Sequence, residues 1–282
     1  LKVQNSSNQT WGIIGENSGL SINADNHDPN LININGLVID GVLSFSITTK
    51  FDTKTTQLFA ETFKKNLEQL IRYTADQTRT YLTVSDVNGI INQKYLDKIQ
   101  EQREVEDVYK ANSLQQGFIY HALSQGDVDD AYRVQLIWEY HHKMNIHHLK
   151  TAWESAQKRY SSLRLRFAWA EDLIQIIDRE QSLNWRYIDL SKERETDQVL
   201  KIKEIQEEDR WKGYDLEEGT LFRVILIKQK EDLYICIFSS HHAILDGWSN
   251  PILLGYIHET YLKIESGKAI GETKEYGYEV AQ

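Results

Sequence analysis

Hydrophobic and polar positions repeat with two different periods along the chain, and the changes of period mark its elements. Residues 31–36 alternate apolar and polar, and 38–47 continue the pattern around Asp40-Gly41, which predicts a β-hairpin or bulge. Leu58, Phe59, Phe63, Leu67, Leu70 and Ile71 then recur at helical spacing, behind Asp52 or Thr53 as the capping residue. From Thr74 to Asp107 the pattern fades, and this stretch reads as a linker holding a short helix. A second unit begins near Val105. In it, helices are predicted over 114–123, 145–160 and 193–211, a strand over 131–140, and a hairpin from 164–169 and 173–177. Residues 222–227 and 233–238 are strong strands, the latter a continuous apolar run that reads as buried. A helix follows over 252–261, with Ser249 or Asn250 as cap and Pro251 in the first turn. The charge run 204–210 reads as a solvated helix face, and residues 1–30 as irregular structure. The fold class is α+β.

Composition narrows the possibilities. The 282 residues suffice for one large domain or two small ones, and 40% hydrophobic with 26% charged residues describes a globular chain. No apolar run approaches a membrane span, so no membrane partner is expected. The chain opens on Leu1-Lys2-Val3 without an initiator methionine or a signal peptide, which reads as a piece of something longer. A net charge of −10 without a visible basic face argues against nucleic acid as a partner. The single cysteine, Cys236, rules out an internal disulfide and a cysteine-based zinc site. Inside an apolar strand it reads as a small core residue, in keeping with a reducing cytoplasm.

Three His-His pairs stand out: His141-His142, His147-His148 and His241-His242. The first two flank a turn and read as solvent-facing. No carboxylate or cysteine accompanies them at ligand spacing, so no metal is expected. The third pair closes the apolar strand and leads through Ala243-Ile244-Leu245 to Asp246-Gly247. A strand end that presents an imidazole is suited to proton handling at neutral pH. No Gly-x-Ser-x-Gly elbow supplies a protein nucleophile, so the pattern suggests direct acyl transfer to a substrate amine or hydroxyl.

The stretch from His241 to Ser249 resembles the HHxxxDG core of nonribosomal peptide synthetase condensation domains, which are similar in fold to chloramphenicol acetyltransferase. Three further segments resemble motifs of that family, in the same order. Asn112-Ser113-Leu114-Gln115-Gln116-Gly117-Phe118-Ile119-Tyr120-His121 resembles the opening motif in its Leu-Gln-x-Gly variant, typical of domains whose donor ends in a D-residue. Arg159 to Phe167 resembles RHxxLRTxF, with Tyr160 and Leu165 departing from it. Tyr214-Asp215-Leu216 and Leu221-Phe222-Arg223-Val224 look like the approach to the histidine strand, and Tyr276 to Glu279 is a poor match to the next motif. Residues 34–45, the helix after them and 82–86 look like the end of an epimerization domain.

The resemblance implies three parts: residues 1–88 as the end of an epimerization domain, forming part of a second condensation-like lobe; 89–104 as linker; and 105–282 as the N-terminal lobe of a condensation domain. The lobe would be a mixed sheet with flanking helices. The implied reaction is amide formation between a carrier-bound peptidyl thioester and a carrier-bound aminoacyl thioester. No cofactor would be bound directly; phosphopantetheine arms on carrier domains would bring both substrates, with an adenylation domain in the same synthetase. His242 is then the catalytic residue, as base or as positioner of the amine. Gly247 would permit close backbone approach and offer an N–H to the oxyanion. His241 becomes a packing residue, and Asp246 a structural aspartate paired with one of Arg164, Arg166 or Arg223. The resemblance also implies a site between two lobes, so the piece alone should be inactive. A stand-alone acyltransferase using a coenzyme A thioester and a non-catalytic carrier-docking module are the alternatives.

Overall fold

A computed structural model describes residues 26, 28–125, 130–169, 172–271 and 277–278. The irregular stretch expected over 1–30 falls almost entirely outside them. The chain divides into two compact units, 1–78 and 79–282.

In the first unit, β1 (Ile32–Ile39) and β2 (Val42–Thr49) pair antiparallel, with Ile39 opposite Val42. The two-residue turn needs left-handed backbone at both positions, and Asp40 (φ 50°) and Gly41 (φ 80°) supply it. Helix α1 (Thr53–Ala75) starts where Asp52 accepts a hydrogen bond from the Thr55 N–H. None of its residues is buried, and Leu58, Leu70 and Ile71 are exposed.

The second unit opens with α2 (Gln93–Gln102) and β3 (Val105–Lys110). Val87, Ile91, Leu96 and Ile99 pack with Val105, Val108, Ile174 and Ile176 in one hydrophobic cluster. The segment read as a linker is therefore part of the folded unit, and the break between compact units falls at Thr78. Polar residues facing outward had hidden this apolar face of α2.

The histidine-bearing sheet follows. Its strands are β4 (Arg133–Tyr140), β9 (Leu233–His241), β8 (Phe222–Lys230) and β7 (Trp185–Asp189), in the order β4-β9-β8-β7. Only the β7–β8 pairing is parallel. Helices α4 (Ile146–Arg159) and α6 (Ser249–Glu265) lie on one face and α5 (Glu195–Trp211) on the other. Alternate residues of one strand thus serve two cores. Val224, Leu226, Cys236 and Phe238 meet Trp153 and Ile257, whereas Ile225, Ile227, Ile235 and Ile237 meet Ile202 and Ile205. A sheet covered on both faces explains the unbroken apolar run of β9. A smaller antiparallel sheet, β3-β6-β5, contains the expected hairpin of β5 (Leu165–Trp169) and β6 (Leu173–Asp178). Helix α3 (Ser113–Gln125) follows β3.

Candidate active site

Strand β9 ends at His241, whose N–H bonds to Leu221 O at 2.9 Å. One residue on, the His242 N–H bonds to Tyr132 O at 2.8 Å. Tyr132 sits at φ 63°, a strained conformation for an aromatic residue, and in this way its carbonyl is held at the mouth of β4. The backbone of the pair is thus fixed from both neighbouring strands.

Their side chains have opposite fates. His241 is 3% exposed. Its Nδ1 accepts from the Ala243 N–H at 3.1 Å, so Nε2 carries the proton, buried and with no hydrogen-bond partner among the described residues. Burial, with Arg133 and His242 nearby, pushes its pKa down to about 4. His241 is thus buried and neutral. His242 is half-buried, and its Nδ1 lies 2.7 Å from Leu245 O. A carbonyl only accepts, so Nδ1 donates, and the neutral ring presents its lone pair at Nε2. Phe118 of α3 stacks flat on the imidazole at 5.0 Å and 9°. Tyr132 backs Phe118 at 4.6 Å, with His121 edge-on to Tyr132 at 5.1 Å. The His242 ring is held by one hydrogen bond at Nδ1 and by an aromatic shelf.

Among the described residues Asp246 pairs with no arginine. It is exposed and accepts from both the N–H and the hydroxyl of Ser249, at 2.7 and 2.6 Å. These bonds hold its carboxyl below the usual carboxylate range and tie down the first turn of α6. The helix starts at Ser249 behind Trp248, which makes no side-chain cap bond, so Asp246, and not the expected Ser249 or Asn250, satisfies the first N–H of α6. Each candidate arginine has another partner. Arg164 holds Glu106 at 2.8 Å and the α4 carbonyl of Gln157 at 3.0 Å. Arg166 holds Asp178 at 2.9 Å. Arg223 holds Asp209 at 2.7 Å and the Asp209 and Lys212 carbonyls at the end of α5. Arg164 therefore lies away from the histidine loop. Arg223 supports it from beneath, because its guanidinium lies 4.0 Å from the Tyr214 ring, which stands edge-on to His241 at 6.1 Å. Asp209 also accepts from Gln135 at 2.9 Å and from Ser239, so the charge run of α5 is not wholly a solvated face.

Gly247 needs no glycine for its own turn: its φ is not positive, and an added Cβ would meet nothing within 4 Å. The space beside it is open. The remaining histidine pairs stay on the solvent side: His141, His142 and His147 are exposed, and His148 meets Glu265 at 2.5 Å. Among the described residues no group of three His, Cys, Asp or Glu side chains is arranged to hold a metal. Phe118 and Gln115 carry the histidine loop from α3 without a periodicity that marks them; the opening motif around 112–121 was their signal, whereas Tyr132 falls in the strand expected over 131–140.

The two motifs are brought together here: the strand-end His242 stacks on Phe118 of the helix that carries the opening motif. The condensation domain family matches residues 105–280. The chain belongs to the condensation domain family. The N-(5-amino-5-carboxypentanoyl)-L-cysteinyl-D-valine synthase of Amycolatopsis lactamdurans is 46% identical over 174 residues, which is 61% of this chain and 5% of that protein. Bacitracin synthase 1 of Bacillus licheniformis is 30% identical over 258 residues, 87% of this chain and 5% of that protein. This condensation domain chain thus spans about 5% of the length of either relative. The starter condensation domain of the rhizomide synthetase superposes with a TM-score of 0.54 at 16% identity, covering 58% of this chain and 41% of that one. The first condensation domain of the calcium-dependent antibiotic synthetase gives 0.53 at 18% identity, covering 58% and 39%. These likenesses establish the α+β, chloramphenicol acetyltransferase-like fold. Among the described residues no helix is long and apolar enough to cross a membrane.

Proposed function

We propose that the second unit is the histidine-bearing lobe of a condensation domain that joins two carrier-bound substrates through an amide bond. The observation that carries the reading is His242: Nδ1–H is committed to Leu245 O, which leaves the lone pair of the neutral ring at Nε2. The attacking α-amine has an ordinary pKa near 8, so a useful fraction is neutral at physiological pH. Its nitrogen bonds to the thioester carbonyl carbon while Nε2 of His242 positions it and accepts a proton as charge develops. Collapse of the tetrahedral intermediate breaks the C–S bond, and the departing thiolate takes the proton. Gly247 offers room, and a backbone N–H, for the oxyanion.

Phosphopantetheine arms of upstream and downstream carrier domains bring donor and acceptor, and an adenylation domain loads the acceptor. Leu114-Gln115-Gln116-Gly117 supports a donor ending in a D-residue. The first unit, residues 1–78, fits the end of a preceding epimerization domain; the support is the hairpin at Asp40-Gly41 and the helix α1 with exposed apolar residues. The lone, buried Cys236 suits a cytoplasmic location. The test is His242→Ala in the full synthetase with both carriers loaded. Product formation should stop while loading and folding survive, and turnover near that of wild type would remove His242 from the mechanism.

A further inference from the structure

We infer that Gln115, Gln175 and Tyr278 form a positioning relay that sets the histidine loop for catalysis. The inference rests on the condensation reading above. Gln115 is buried, and its amide is fully oriented. Its Oε1 accepts from the Asn112 N–H at 3.0 Å, so Nε2 faces the other way. The two protons on Nε2 go to Gln175 Oε1 at 3.0 Å and to Ala243 O at 3.2 Å. Ala243 is the residue after His242. Gln175, which is 0% exposed, is oriented in the same manner: its Nε2 donates to Lys110 O at 3.0 Å, leaving Oε1 for Gln115 and for the Tyr278 hydroxyl. One buried polar chain therefore runs from Tyr278 through β6 and α3 to the carbonyl beside the reacting histidine.

Three features point to positioning rather than to general packing. Helix α3 touches the loop twice, through Gln115 on the Ala243 carbonyl and through Phe118, one turn on, against the His242 ring. The other hydrogen bonds of residues 242–246 are local or come from the Tyr132 backbone, so Gln115 is the side chain that fixes the loop from another element. The Nδ1 bond that selects the His242 tautomer ends on Leu245 O, inside the same loop. A tilt at Ala243 would move both ends of that bond. In a buried, fully satisfied network each bond depends on the orientation of the next, so a lost donor is transmitted along the chain.

The experiment uses the full synthetase with loaded carriers, comparing Gln115→Glu, Gln175→Glu, Tyr278→Phe and His242→Ala. Gln115→Glu keeps the volume and the acceptor for Asn112 but cannot donate to Ala243 O as a carboxylate. Its kcat should fall about a hundredfold, since small misplacements of a reacting group have that effect, with KM for both carriers little changed and the pH profile of kcat displaced. Tyr278→Phe removes the hydroxyl two links away and should give a smaller loss of the same kind. Rate losses that follow thermal stability across the three relay variants, and not distance from Ala243, overturn the inference. So does a Gln115→Glu enzyme at wild-type kcat beside an inactive His242→Ala. An active His242→Ala overturns the condensation reading, and the relay with it.

Discussion

The end of β9 and the turn before α4 both carry adjacent histidines, yet their surroundings differ. At His141-His142 the side chains stand in solvent, and His141 meets the exposed Glu139 at 3.1 Å. At His241-His242 the backbone is pinned from two strands, one ring is sealed in the core, and the other is clamped at Nδ1 and stacked on Phe118. The residue type is the same; the difference is the surrounding backbone. An imidazole becomes useful when one nitrogen is committed and the other is left free in a defined direction.

The sharpest break of this contrast is substitution of the histidines themselves. His242→Ala should lower turnover of the loaded synthetase by about a hundredfold to ten-thousandfold, the range for a lost general base. His141→Ala and His142→Ala should leave the turnover unchanged. Next in size is the support beneath the loop. Asp209→Ala leaves Arg223 buried without its carboxylate and should cost about 3–5 kcal/mol in urea unfolding. Glu208→Ala, its neighbour on α5, loses only the exposed contact with Arg186 at 3.4 Å and should cost less than about 1 kcal/mol.

His241 sharpens the contrast through pH. Its folded pKa, about 4, lies below the ordinary 6.5, so the unfolded chain binds the proton more readily. The stability from a neutral His241 is complete above the ordinary value and is lost as pH falls through the folded one. Thermal midpoints between pH 7 and pH 4 should therefore fall more steeply in wild type than in His241→Gln, whereas His141→Gln should follow wild type. A smaller effect is expected at Asp246→Ala, about 1 kcal/mol for the lost cap, with the same loss at any pH where the carboxylate is charged. The smallest is His142→Ala, whose stability should stay within about 0.5 kcal/mol of wild type.

Much of the fold was legible in the sequence because local rules and tertiary packing agreed. Asp40-Gly41 marked the first hairpin, Asp52 marked the start of α1, the spacing over 145–160 marked α4, and the apolar runs marked β8 and a buried β9. Two strands escaped. β3 mixes Glu106, Asp107 and Lys110 among its apolar residues and carries a bulge near Val105, so it lacks a clean period. β7 is a short edge strand, largely exposed, and is held by pairing to β8 rather than by burial. Helix α2 was seen, but its membership in the second unit was not, because its partners lie more than seventy residues away at Ile174 and Ile176.

The candidate site divides along the same line. By itself, the sequence determined that a buried strand ends in two histidines, that a turn with Asp246 and Gly247 follows, and that Leu114-Gln115-Gln116-Gly117 opens a helix elsewhere in the chain. These are properties of contiguous residues, set by period, propensity and motif. Only the tertiary structure decided which histidine is free, that Asp246 caps α6 instead of meeting Arg164 or Arg223, and that Gln115 and Phe118 reach across to Ala243 and His242. Those outcomes depend on which buried donors and acceptors meet across long separations. A buried polar group must find a partner in space, and nothing in its neighbours along the chain says which one.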